Sequence, residues 1–159
     1  MTEKAFQDYY PTDFGQCYGC GPFNDHGMKI KSFWTEDEQE SYCYFTPKPY
    51  HTAVPGIVYG GLIASIIDCH ATATAAAAGY RAEGRGMDTD PPLRYVTASL
   101  HVDYLKPTPI DTKLKLTGKI KEIKGRKIII TVTLSANEEI CARGEVVTVQ
   151  MPDSMISRK

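Results

Sequence analysis

Apolar residues change their spacing along this chain, and the changes divide it into a helical middle with strand-bearing flanks. Met28 to Trp34 alternates apolar and polar positions, as does Ser41 to Phe45, and a Glu-Asp-Glu turn at 36–38 separates them. Both read as strands. Pro47 to Pro55 reads as a loop. From about Gly60 to Ala78 the apolar residues recur at helical spacing, and Gly79 is placed as a C-cap. Residues 81–94, with Gly, Pro and charged groups (Arg81, Glu83, Arg85, Asp88, Asp90) before Arg94, read as a long mobile loop. Alternation then returns over 97–105, 114–120 and 127–134, with a hairpin signal at Lys124-Gly125 and a turn at Asn137-Glu138. Ile140 to Met151 closes the set. Two short strands, one long helix and four long strands predict an α+β domain, an antiparallel sheet wrapped around one central helix. Residues 1–159 form a single domain in this reading, with an irregular or partly helical lead-in to about residue 26.

The predicted helix has two unlike sides. At about 100° per residue, Leu62, Ile63, Ile66, Ile67 and His70 share one side, a core stripe in which His70 is a satisfied core histidine. Gly61, Ala64, Ser65, Asp68, Thr72 and Ala75 fall opposite. A generic solvated face would carry Lys, Arg or Glu, and this one has none. Asp68 is the only formally charged residue between Pro49 and Tyr80. A carboxylate among small residues either faces water or sits at a working site, where perturbed acids concentrate. The small residues favour the second reading, because they let a ligand, a backbone or a second subunit come close.

Gly60 and Gly61 open the helix, where unpaired N–H groups and the helix dipole can hold an oxyanion or a polarised carbonyl. A plain turn is the simpler reading of the pair taken alone. Asp68 lies two turns further, roughly 10 Å by helical rise. One helix therefore places the two groups too far apart for one small reacting centre, and two helices from two subunits would each supply half a site.

Composition narrows the class. The chain of 159 residues has a net charge of −1, so no basic field points to nucleic acid. Five cysteines and a polar start, MTEKAFQDYY, fit a reducing, cytoplasmic setting. No stretch reads as a membrane span: the Asp68 helix is apolar but charged and rich in Ala and Thr.

Together these residues resemble the hotdog-fold acyl-CoA thioesterases, in particular the phenylacetyl-CoA-type branch, with its His-Gly-Gly, six residues, then Asp. Here Tyr59-Gly60-Gly61 precedes Asp68 by the same interval. Leu100 to Pro107 resembles the family's strand ending in Tyr-x-x-Pro, and Lys119 to Arg126 resembles its hairpin. Cys17-Tyr-Gly-Cys-Gly-Pro22 and Pro55 to Val58 resemble a subset of members. The resemblance implies a hotdog fold, hydrolysis of an acyl-CoA or related thioester, and a homodimer or tetramer. It implies Asp68 as base or nucleophile, the Gly60 N–H as carbonyl polariser with Gly61 beside it, and Thr97 where relatives carry a water-positioning Ser. Ser65 and Thr72 would line the substrate. Arg94, Lys106 or Arg126, the last in a basic turn, could meet the CoA phosphates. Cofactors are expected to be none, CoA being part of the substrate. The sequence departs from the pattern at Tyr59, in place of the His, and at Ala53, in place of a water-orienting Asn. A Tyr donates a hydrogen bond but is not a cation at neutral pH.

Two further readings follow from the histidines and cysteines. The departures allow an acyl-CoA-binding hotdog without hydrolysis. His51, with Pro55-Gly56 nearby, resembles the loop of hotdog dehydratases, which would make a hydratase or dehydratase. Spacing disfavours that reading and favours His51 as loop structure or pocket rim. Cys17-x-x-Cys20 has only His26 as an extra metal donor nearby, so a tight Gly-rich turn is expected and no metal. His101 is given no role.

Overall fold

The computed structural model describes residues 3–156. Its strands are β1 (Ser32–Trp34), β2 (Ser41–Phe45), β3 (Tyr95–Tyr104), β4 (Leu114–Lys124), β5 (Lys127–Ala136) and β6 (Glu139–Gln150). They pair antiparallel in one sheet of order β1-β2-β4-β5-β6-β3, and helix α1 (Gly60–Ala82) packs across it. This is the expected hotdog arrangement. β5 shows why it forms: Ile128, Ile130, Val132 and Leu134 are buried toward α1 while the residues between them are not. β3 ends the sheet and, among the described residues, pairs only with β6, so its second edge is open there.

The apolar stripe of α1 packs as its spacing predicts. Leu62, Ile63, Ile66, Ile67 and His70 are all buried. His70 is wholly enclosed, with Nδ1 at 2.8 Å from Ser32 Oγ and Nε2 at 3.0 Å from Ser41 Oγ. Gln7 of the lead-in bonds both the Ser32 amide and its hydroxyl, and Thr74 bonds Ser41. Burial pushes the His70 imidazole down to about 4. The fold therefore holds it neutral, and this contribution to stability is lost as pH falls from about 6.5 toward 4.

Several boundaries differ from expectation, each for a local reason. β1 begins at Ser32 rather than Met28, because the Met28 and Ile30 amides bond Tyr18 and Gly19 of the lead-in. The helix continues through Gly79 to Ala82, so Gly79 is not its cap. Gly79 instead admits the Tyr95 ring, whose hydroxyl would lie 2.8 Å from any Cβ there. β4 runs on to Lys124 past a bulge between Ile120 and Glu122. The segment read as a long mobile loop is tied down by hydrogen bonds, Arg85 to Glu83 and Thr89, and the Leu93 amide to the Tyr80 hydroxyl. By length and hydropathy α1 could cross a membrane, contrary to expectation, but 78% of its most apolar window is buried, as in a core helix.

The lead-in is partly helical, with single 3₁₀ turns at Phe6–Tyr9 and Thr12–Phe14. Phe6 inserts against Ala73 and Ala77 of α1 and meets Trp34 edge-on at 5.1 Å. Every residue of α1 from Cys69 to Tyr80 is buried within the chain. The small-residue face is therefore covered at Thr72 and Ala75. It stays open only over the first turns, around Ala64, Ser65 and Asp68.

Candidate active site

The start of α1 is built from short-range constraints. Tyr59 is the N-cap, in extended geometry (φ −59, ψ 129) with no side-chain cap bond. Its carbonyl accepts the Leu62 and Ile63 amides, at 3.1 and 3.3 Å. The Gly60 and Gly61 amides precede this first intrahelical bond and point to the positive end of the helix dipole. The Tyr104 hydroxyl donates to the Gly60 carbonyl at 2.7 Å and fixes the turn. Gly60 opens onto a cleft of about 320 Å³ lined by Val58, Ile63, Tyr104, Leu105 and Lys106. Gly61 is less open than its lack of a side chain suggests. The exposed Tyr59 ring folds back over it, so a Cβ there would meet ring atoms at 2.5 Å.

Asp68 lies elsewhere on the chain's surface, away from that cleft. Its carboxylate is half-buried, and Oδ1 accepts the Thr97 hydroxyl of β3 at 2.5 Å. Burial raises its pKa from the ordinary carboxylate value, while the Thr97 bond and the Arg94 charge hold it back. The Thr97 contact is made within one chain. Asp68 is thus oriented, partly desolvated and still open to water, as a base or nucleophile needs to be.

Other expected residues are placed differently. Ser65 and Thr72 donate their hydroxyls to carbonyls of α1, Gly61 for Ser65, Asp68 and Cys69 for Thr72, and Thr72 is buried. Arg94 turns inward, its guanidinium 4.9 Å from the centre of the Tyr10 ring and bonded to the Tyr10 hydroxyl at 3.3 Å. Lys106 stands at the mouth of the Gly60 cleft and pairs with Glu139 at 2.7 Å. Arg126 donates to the Gln150 and Met151 carbonyls beside the β4–β5 hairpin.

His51 serves its loop. Nδ1 accepts the Lys48 amide at 2.9 Å, the ring meets Phe45 and Tyr50, and its carbonyl accepts the Tyr59 amide. Burial and Lys48 lower its pKa. His101 is exposed and bonded to Asp103. His26 is exposed and does not join Cys17 and Cys20. The third thiol there is Cys69, next in sequence to Asp68. Sequence reasoning missed Cys69 and the Tyr104 bond to Gly60. Tyr104 stood in a recognised motif, but no local signal joins Cys69 to a segment fifty residues away.

The sequence profile of the thioesterase superfamily matches residues 55–149, from just before α1 into β6. Acyl-coenzyme A thioesterase THEM4 of Xenopus laevis is 30% identical over 113 residues, 71% of this chain and 45% of that protein. The rat THEM4 is 29% identical over the same length, 43% of that protein. The matched region thus spans under half of these curated relatives. Among solved structures, a thioesterase superfamily protein from Shewanella loihica is 44% identical, covers 81% of this chain and 96% of its own, and superposes with a TM-score of 0.65. The PaaI protein of Escherichia coli, at 13% identity and a TM-score of 0.62 over 79% of this chain and 81% of its own, shares the fold. By sequence profile and by its sheet packed against one long helix, the chain belongs to the thioesterase superfamily of hotdog-fold proteins.

Proposed function

We propose that this protein hydrolyses an acyl-CoA or related thioester to the free acid and thiol. The observation that carries the reading is Asp68: a half-buried carboxylate, oriented by Thr97, on the open part of an otherwise buried helix. The thioester carbonyl accepts the Gly60 N–H, which stabilises negative charge developing on its oxygen. Asp68 either takes a proton from water as that water attacks the carbonyl carbon, or attacks directly to form an anhydride that water then opens. In both routes the C–S bond breaks, the acid keeps the water oxygen, and the thiol leaves with a proton. The cleft beside Gly60 receives apolar parts of the substrate, and Lys106 at its mouth meets the nucleotide phosphates.

Within one chain Gly60 lines the cleft and Asp68 does not. The reading therefore pairs Gly60 of one subunit with Asp68 of another, in a homodimer or a dimer of dimers. The open β3 edge, with Leu100, Tyr104 and Leu105 exposed, supports such an association, since bare edges and apolar strands are normally covered.

Thiol release from a panel of acyl-CoA substrates, read for the parent and Asp68→Asn, tests the function. Asp68→Asn keeps shape and hydrogen bonding and removes the base, so hydrolysis should vanish while acyl-CoA binding persists. Equal rates for both proteins would overturn the site. Binding without turnover by the parent would favour an acyl-CoA-binding protein.

A further inference from the structure

We propose that Cys17, Cys20 and Cys69 form a binding site for zinc(II), which fastens the lead-in loop to α1 beside Asp68. The fold brings the three sulfurs within 4.8 Å of one another. Cys17 and Cys69 Sγ lie 3.8 Å apart. Two thiolates on one tetrahedral zinc, each about 2.3 Å from the metal, stand about 3.8 Å apart. The other pairs need to close by no more than about 1 Å to meet that geometry.

The loop is shaped around the sulfurs. Gly19 has no room for a side chain, because a Cβ there would lie 2.2 Å from Cys69 Sγ. Gly21 is similarly confined: a Cβ there would lie 2.4 Å from the Cys17 amide nitrogen and the Gly15 carbonyl oxygen. The loop is held by hydrogen bonds from Gly21 to Cys17, Met28 to Tyr18 and Ile30 to Gly19. Cys20 and Cys69 are buried and Cys17 is half-exposed, so water on the Cys17 side would complete four ligands.

Charge also balances. Zinc binding displaces three thiol protons and leaves a net charge of −1 on the metal and its thiolates. Arg94, turned inward against Tyr10, carries a compensating positive charge. Three soft sulfur donors select zinc over the hard, oxygen-seeking cations. The spacing Cys17-x-x-Cys20 supplies only two donors by itself, and the third comes from α1 in the folded chain.

The test measures metal in the full chain, expressed with added zinc and purified under reducing conditions. The parent should carry about one zinc per chain, and Cys17→Ser, Cys20→Ser and Cys69→Ser should each reduce this tenfold or more. Cobalt(II) exchanged into the parent should show intense thiolate charge-transfer absorption that Cys17→Ser weakens. If a buried-cysteine variant does not fold, the half-exposed Cys17→Ser and the cobalt spectrum decide. A reduced parent that takes up no zinc, zinc content unchanged by Cys17→Ser, or a Cys17–Cys20 disulfide in the freshly purified protein would each overturn the site. These readouts do not involve thioester turnover, so they stand apart from the proposed hydrolysis.

Discussion

The two halves of α1 both present small residues, in opposite surroundings. From Cys69 to Tyr80 the helix is enclosed, by the sheet, which includes Trp34 of β1, and by Phe6 and the rest of the lead-in. From Gly60 to Asp68 the same small-residue face is left uncovered, and there the chain places its one charged helix residue before Arg81. Small side chains therefore do two jobs on one helix. In the second half they admit the chain's own aromatic ring, and in the first they leave room for something the chain does not supply. The position of the lead-in separates packing from chemistry.

Substitutions on each half should have different signatures. The largest effect expected in the enclosed half is from Phe6→Ala, which removes a buried ring and should lower stability by about 3–5 kcal/mol. Denaturant unfolding would read that loss, while turnover per folded molecule stays near the parent's. A lost rate without lost stability would mean the lead-in takes part in the chemistry. In the open half, Thr97→Val removes the hydroxyl that holds Asp68 and should slow turnover roughly tenfold, in proportion to a charge-assisted bond of about 1.5 kcal/mol. Thr97→Ser should recover most of the rate. An unchanged rate in Thr97→Val would reduce the 2.5 Å contact to packing.

The smallest effect belongs to Tyr59→Phe. The Tyr59 carbonyl accepts the first helical amides and its ring covers Gly61, and neither task needs the hydroxyl. The rate should stay within about threefold, whereas loss of an oxyanion donor lowers rates on the order of 10²-fold. A hundredfold fall at unchanged stability would make Tyr59 a working replacement for the family's histidine.

Much of this was legible in the sequence because it is periodic. The core stripe of α1 and the alternation of β5 each repeat often enough to outweigh local exceptions. Asp68 was legible because it lacks neighbours of its own kind. Long-range contacts were not legible. Nothing near Ala73 or Ala77 says that Phe6 will pack against them, and nothing near Arg94 says that Tyr10 will draw it inward from the surface. Gly79 was misread because a glycine late in a helix usually ends it, while here it makes room for Tyr95 from another element. Cys69 likewise acquires meaning only when the lead-in folds against it.

The central claim is that an open helix start on one subunit and Asp68 on another make one site. Gly60→Pro is a mild way to remove the amide, because Tyr59 is already extended and an added Cβ meets Tyr104 only at 3.5 Å. Alone, Gly60→Pro and Asp68→Asn should each be nearly inactive. Mixed by joint unfolding and refolding, they should regain activity, because each heterodimer carries one site with both groups intact. At equal amounts about half the chains pair as heterodimers, so about one quarter of the parent's rate is expected. No recovery from mixtures shown to contain heterodimers, or full activity in a monomeric parent, would contradict the account.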